Sequence, residues 1–168
     1  MIRLIFLFCL STISLVAQEK EEKHQEQIIL AEFIIKDVRF DGVDYSKDAI
    51  NDGNKLYFYK VNKSDEVLFS NYREKIDSQS FGPIHSLKHK HHIETEENYA
   101  IDEYKFIWSY ENTYEDKVGT CEMILKLEHK PRGIFFDLKI YPENLEELHY
   151  RGEFKGTMDF VKYLVNKN

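Results

Sequence analysis

The sequence predicts an all-β domain of mainly antiparallel strands, closed into a barrel or stacked as a sandwich, with a short C-terminal helix. Three observations predict it. Runs rich in Ile, Val, Phe, Tyr and Thr recur from Ile28 onward, about eight of them. Pro and Gly fall between the runs and are nearly absent inside them, as a β-ladder requires. Within the later runs apolar and polar residues alternate, which gives one dry and one wet face.

In chain order, the first strand lies within 28–40 (IILAEFIIKDVRF). A polar stretch follows, with a short helical turn near Ser46–Asn51. Strands two and three are 55–61 and 66–72, joined by a tight turn at Asn62-Lys63-Ser64-Asp65. Strand four spans about 81–91, five 104–114, six 119–129, seven 133–141 and eight 147–156. Lys130-Pro131-Arg132-Gly133 and Tyr141-Pro142-Glu143-Asn144 punctuate the last three. Pro83 and Gly152 fall inside runs and mark a bulge or a strand entry. Met158, Val161, Leu164 and Val165 are spaced for one face of a terminal helix.

Alternation assigns the faces. Tyr104, Phe106, Trp108 and Tyr110 share one side of strand five. Cys121, Met123, Leu125, Leu127 and His129 share one side of strand six. Ile134, Phe136, Leu138 and Ile140 do so in strand seven, and Leu148, Tyr150 and Phe154 in strand eight. His149 and Arg151 point the other way.

The N-terminus reads as an export signal. Arg3 precedes an apolar run from Leu4 to Val16, Ala17 closes it, and Gln18-Glu19-Lys20-Glu21-Glu22 is abruptly polar. The run is 13 residues long, whereas a membrane-spanning helix needs ~20. The expectation is a signal peptide at 1–17, a flexible polar leader at 18–27 and a single β-rich domain at 28–168. The mature protein would be soluble, periplasmic or extracellular, with no integral membrane segment. Loss of Arg3 takes the net charge from −7 to −8, which argues against nucleic acid as a partner. Cys9 leaves with the signal. Cys121 remains alone, alternates with apolar residues, and reads as a buried structural thiol.

The densest chemistry lies in HSLKHKHH, residues 85–92. As a regular strand it puts His85, Leu87, His89, His91 and Ile93 on one face. His89 and His91 are about 6.6 Å apart along the backbone and can lean onto one point, while His85 is about 20 Å from His91. In a meander, strands four and six flank strand five, so His129 reaches the same rim, with Tyr104 between. His89, His91 and His129 are therefore the candidate metal ligands, with zinc as the metal such a three-imidazole set would take. The alternative is a solvated histidine edge. Glu94, Glu96, Glu97 and Asp102 read as a solvated carboxylate loop.

The aromatic residues Phe106, Trp108, Tyr110, Phe136, Tyr150 and Phe154 are candidate linings of a pocket for a small apolar ligand. The same residues also serve to fill a core. No Gly-x-Ser-x-Gly elbow and no Gly-x4-Gly-Lys loop occurs. The expectation is a non-enzymatic binding protein, without cofactor, for a small apolar molecule or an envelope protein. The alternative is a metal-binding protein or metal-dependent hydrolase.

In size, export and strand count the chain resembles the lipocalins, although the only tryptophan, Trp108, lies far from the first strand, where lipocalins carry Gly-x-Trp. His89-x-His91 with Glu96 resembles the first cupin motif over eight residues. Pro83 and Glu103 stand where that motif has glycines.

Overall fold

The computed structural model describes residues 26–62, 64–94, 99–143 and 147–164. The expected signal at 1–17, most of the polar leader, Lys63 of the first tight turn, and Glu96 lie outside the described residues.

The elements run β1 (Gln27–Phe40), β2 (Val43–Asp44), α1 (Ser46–Asn51), β3 (Asn54–Val61), β4 (Leu68–Arg73), a 3-10 turn (Glu74–Ile76), β5 (Ser78–Glu94), β6 (Tyr99–Asn112), β7 (Lys117–Lys130), β8 (Gly133–Pro142), β9 (Leu148–Gly156) and α2 (Val161–Leu164). Every pairing is antiparallel, in a meander from β3 to β9. β1 pairs with β3 along its first half and with β9 along most of its length, which closes eight strands into a barrel. A sandwich is thereby set aside. β2 is an added ribbon on the end of β1, turned by Asp41 and Gly42, both with positive φ. Such a turn matches the right-handed twist of a hairpin, and Gly42 reaches it without strain.

Closure requires close approach at one seam. β1 slips register between Ile35 and Asp37, opposite Gly152 of β9. A Cβ on Gly152 would lie 1.9 Å from the Ile34 carbonyl oxygen. Only glycine lets the two strands meet there, and Gly152 is a bulge partner as its position inside a run implied.

The barrel interior is filled with side chains. Phe58 and Phe69 are fully buried, and so are Leu125, Leu138 and Met123. Phe33 is the hub: its ring meets Phe58, Phe69, Phe136 and Phe154 at centroid distances of 4.9–6.1 Å, mostly edge to face. Edge-to-face contact favours aromatic pairs beyond the area they bury. Cys121 is buried in the same core, and burial pushes its thiol up to about 12. It is therefore neutral and unreactive, as its alternation implied. No described helix is long and apolar enough to cross a membrane.

Candidate functional site

The barrel has two mouths. One is ringed by the end of β5, the start of β6, the end of β7 and the segment from β9 into α2. Its geometry begins with an irregularity in β5. His85 pairs with Ile107, but Lys88 pairs with Lys105, so one extra residue is taken up at Ser86–Leu87. This bulge changes the parity of the strand. Ile84 points inward and is buried, and His85 points out and is exposed. Beyond the bulge it is His89, opposite Tyr104, and His91, opposite Asp102, that face inward. The regular alternation that placed His85 on the face of His89 is corrected by that one residue.

His89, His91 and His129 are brought together, and what joins them is Asp102. His89 Nε2 lies 2.8 Å from Asp102 Oδ1, His91 Nδ1 2.6 Å from the same oxygen, and His129 Nε2 2.8 Å from Oδ2. The ladder explains this. His91 is directly opposite Asp102 on one side, while His129 is opposite Ala100 on the other, one diagonal step away. The Asp102 side chain is 13% exposed, against 38–50% for the three imidazoles. Burial pushes its carboxyl up. The hydrogen bonds of His89, His91 and His129, with the charge attraction of His91, outweigh that and hold it below the ordinary carboxylate range. Asp102 is thus a fixed anion whose oxygens accept from three rings.

Sequence reasoning placed Asp102 in a solvated carboxylate loop. The structure corrects this, because β6 begins at Tyr99 rather than at Tyr104. The signal was available: Asp102 has the parity of Tyr104, Phe106 and Trp108, so extending the strand two residues turns it inward.

Beside the cluster lies a cavity of about 460 Å³. One wall carries His89, Tyr104 and His129. Leu127, Phe154 and Met158 add apolar surface to the lining, and Asp159 and Lys162 add charge. Tyr104 stacks on His89 with ring centroids 4.5 Å apart and planes 7° from parallel. Burial and the nearby Asp102 and Asp159 raise its phenol to about 12, so it is a standing hydrogen-bond donor.

The six aromatic candidates do not gather around one space. Phe154 lines this cavity, Tyr150 lines a cavity at the opposite mouth, and Tyr110 borders a hollow with Phe81 and Pro83. Phe106, Trp108 and Phe136 are at most 3% exposed in the packed core. His149 stays apart, its Nε2 2.8 Å from Asp137 on the outer surface of the barrel.

Three imidazoles and a carboxylate are a donor set suited to a divalent transition metal. As placed, each ring gives one nitrogen to the carboxylate at hydrogen-bond length. Among the described residues no group of three or more His, Cys, Asp or Glu is arranged to hold an ion. No family model, curated protein or solved structure matches the chain.

Proposed function

We propose that the protein is an exported, non-enzymatic binding protein that takes a small amphipathic molecule at its histidine mouth. The observation that carries this reading is the cavity itself. Apolar Leu127, Phe154 and Met158 line it together with polar His89, Tyr104 and His129 and charged Asp159 and Lys162. Such a pocket buries an apolar body and orients it by a few polar contacts. Asp102 contributes by fixing the tautomer and direction of the rings, so the nitrogen left over on His89 and on His129 is preset. The filled barrel interior directs the ligand to the mouth rather than to a central cavity.

A second reading is favoured by the shared carboxylate. In it, one divalent ion is held by His89, His91, His129 and Asp102, with the oxygens and nitrogens that now bond each other turned onto the metal.

Native mass spectrometry of untagged protein from its own host separates the two. The first reading expects an added organic mass that disappears in Met158→Glu, which adds a charge to the cavity lining. It also expects that mass to persist in His91→Ala, because His91 does not line the cavity. The second expects the mass of one metal ion, lost in His91→Ala and retained in Met158→Glu. A bare polypeptide mass from the native host sinks both.

A further inference from the structure

β5 outruns the strand beside it. β4 accompanies it only from Ser78 to Pro83. The last backbone bond on that side is donated by the Ile84 N–H to the Val67 carbonyl at 3.1 Å. From there to Glu94 the strand is paired on one side only, with β6. α2 approaches from the histidine mouth, where Val161 and Lys162 share the cavity with His89, but no backbone hydrogen bond joins it to β5. Lys88, His89, Lys90 and His91 are all exposed. Alternate peptide groups of a strand point to opposite edges. Residues 85–94 therefore present a row of N–H and C=O groups that no backbone partner takes up among the described residues.

The outward face beside this edge is basic. With His89 and His91 turned in, Lys88 and Lys90 point out. Lys88 stands opposite Lys105 of β6, a like-charge pair. Lys90 stands opposite Glu103, whose carboxylate lies 3.5 Å from Lys126 on β7. Lys88, Lys90 and Lys105 form no ion pair among the described residues. The patch is positive in a chain whose net charge is −7.

These lysines decide what can lie along the edge. Two copies joined edge to edge here would set Lys88 and Lys90 of one against those of the other, and like charges directly opposite destabilise a ladder. A strand with carboxylates at alternate positions meets the same lysines with opposite charge. Glu94, Glu96 and Glu97 follow the basic stretch. The incoming carboxylates are thus confined to the level of Lys88 and Lys90 and excluded from the hairpin tip.

We infer that residues 85–92 of β5 are a docking edge for an extended acidic segment of a partner protein. The segment adds to the sheet as a further strand, with its carboxylates facing Lys88 and Lys90. The edge is separate from the pocket and does not depend on what the histidine mouth holds.

The test is a titration of the 15N-labelled protein, followed by backbone amide shifts and hydrogen exchange. The probe is the peptide acetyl-Thr-Val-Glu-Val-Glu-Val-Thr-amide. One comparison replaces its glutamates with lysines. Two others are N-methylated at alternate residues, one on the odd positions and one on the even. The expected result is a saturable shift confined to β5 and β6, with exchange slowed along residues 85–94. One of the two methylated peptides loses binding, because one of them blocks the bonding edge. The exposed double variant Lys88→Glu with Lys90→Glu binds the glutamate peptide at least ten-fold more weakly and gains binding of the lysine peptide. The inference is overturned if the glutamate peptide gives no saturable shift at millimolar concentration, which leaves the lysines as guards against aggregation. Equal binding of both methylated peptides also overturns it, since charge alone would then hold them. So does equal binding of the lysine peptide to the wild type. Edge amides already protected in the free protein overturn it as well: a dimer in sedimentation assigns the edge to a second copy, and a monomer assigns it to another segment of this chain.

Discussion

The two mouths of the barrel satisfy their polar groups in opposite ways. At the histidine mouth one carboxylate accepts from three rings, and His89 is further fixed by its stack on Tyr104. At the opposite mouth Asn54 and Asn71 each keep a buried oxygen without a hydrogen-bond partner among the described residues. A saturated network contributes to stability and rigidity, whereas an unsaturated one leaves the cost of burying its polar groups uncompensated. The difference teaches that burial of polar groups has two signatures. What separates them is whether removing the group weakens the fold or leaves its stability almost unchanged.

The largest effect is expected at Asp102. Asp102→Ala leaves three imidazoles without their acceptor, and hydrogen bonds to a charged group contribute about 1.5–3 kcal/mol each. The contributions overlap and the rings are partly exposed, so the expected loss is about 3 kcal/mol, measured by urea unfolding. The same residue predicts a pH dependence. Its folded carboxyl lies below the ordinary value of 3.8. Its contribution is therefore complete above that value and is lost as pH falls through the folded one. The stability gap between wild type and Asp102→Asn should close as pH drops below 3.8. A gap that stays fully open well below 3.8 would contradict the carboxylate hub.

The smallest effect is expected at the other mouth. Asn54→Leu removes a buried acceptor that has no partner among the described residues, so unfolding should stay within about 1 kcal/mol of wild type or move toward greater stability. A loss as large as that of Asp102→Ala would mean that the amide is structural after all, and the contrast between the mouths would disappear.

Most of the strand framework was legible in the sequence, because a half-buried strand writes its faces as alternation. β7 and β8 show this most clearly: Cys121 to Leu127 and Phe136 to Ile140 turn inward in the order their parity implies. The helical turn at Ser46–Asn51 was legible as well. Closure was not, because pairing of β1 with β9 is a long-range fact that no local pattern encodes. The two-residue β2 escaped notice although Asp41-Gly42 is a hairpin signal. At the site, strand adjacency brings His129 beside the strand of His89 and His91, but the bulge at Ser86–Leu87, which alternation does not reveal, is what turns those two rings inward while His85 points out. Asp102 was not legible because it follows an acidic run, Glu94 to Glu97, whose polar character masks the start of the strand at Tyr99. Asn54 and Asn71 carried no signal at all, since an unpaired amide is visible only when its neighbours are known.

The β5 bulge has a consequence for how this chain tolerates changes in length. The strand keeps count by twos, and Ser86–Leu87 supply two residues where the neighbouring ladder needs one. Deleting one of them would leave a regular strand that still turns His89 and His91 inward. Deleting both would invert everything downstream, driving Lys88 and Lys90 into the mouth and the histidines into solvent. The three-ring cluster therefore depends on an arithmetic parity, and two chains of this type that differ by a single gap at this point would share it, whereas a gap of two would abolish it with every histidine still in the sequence.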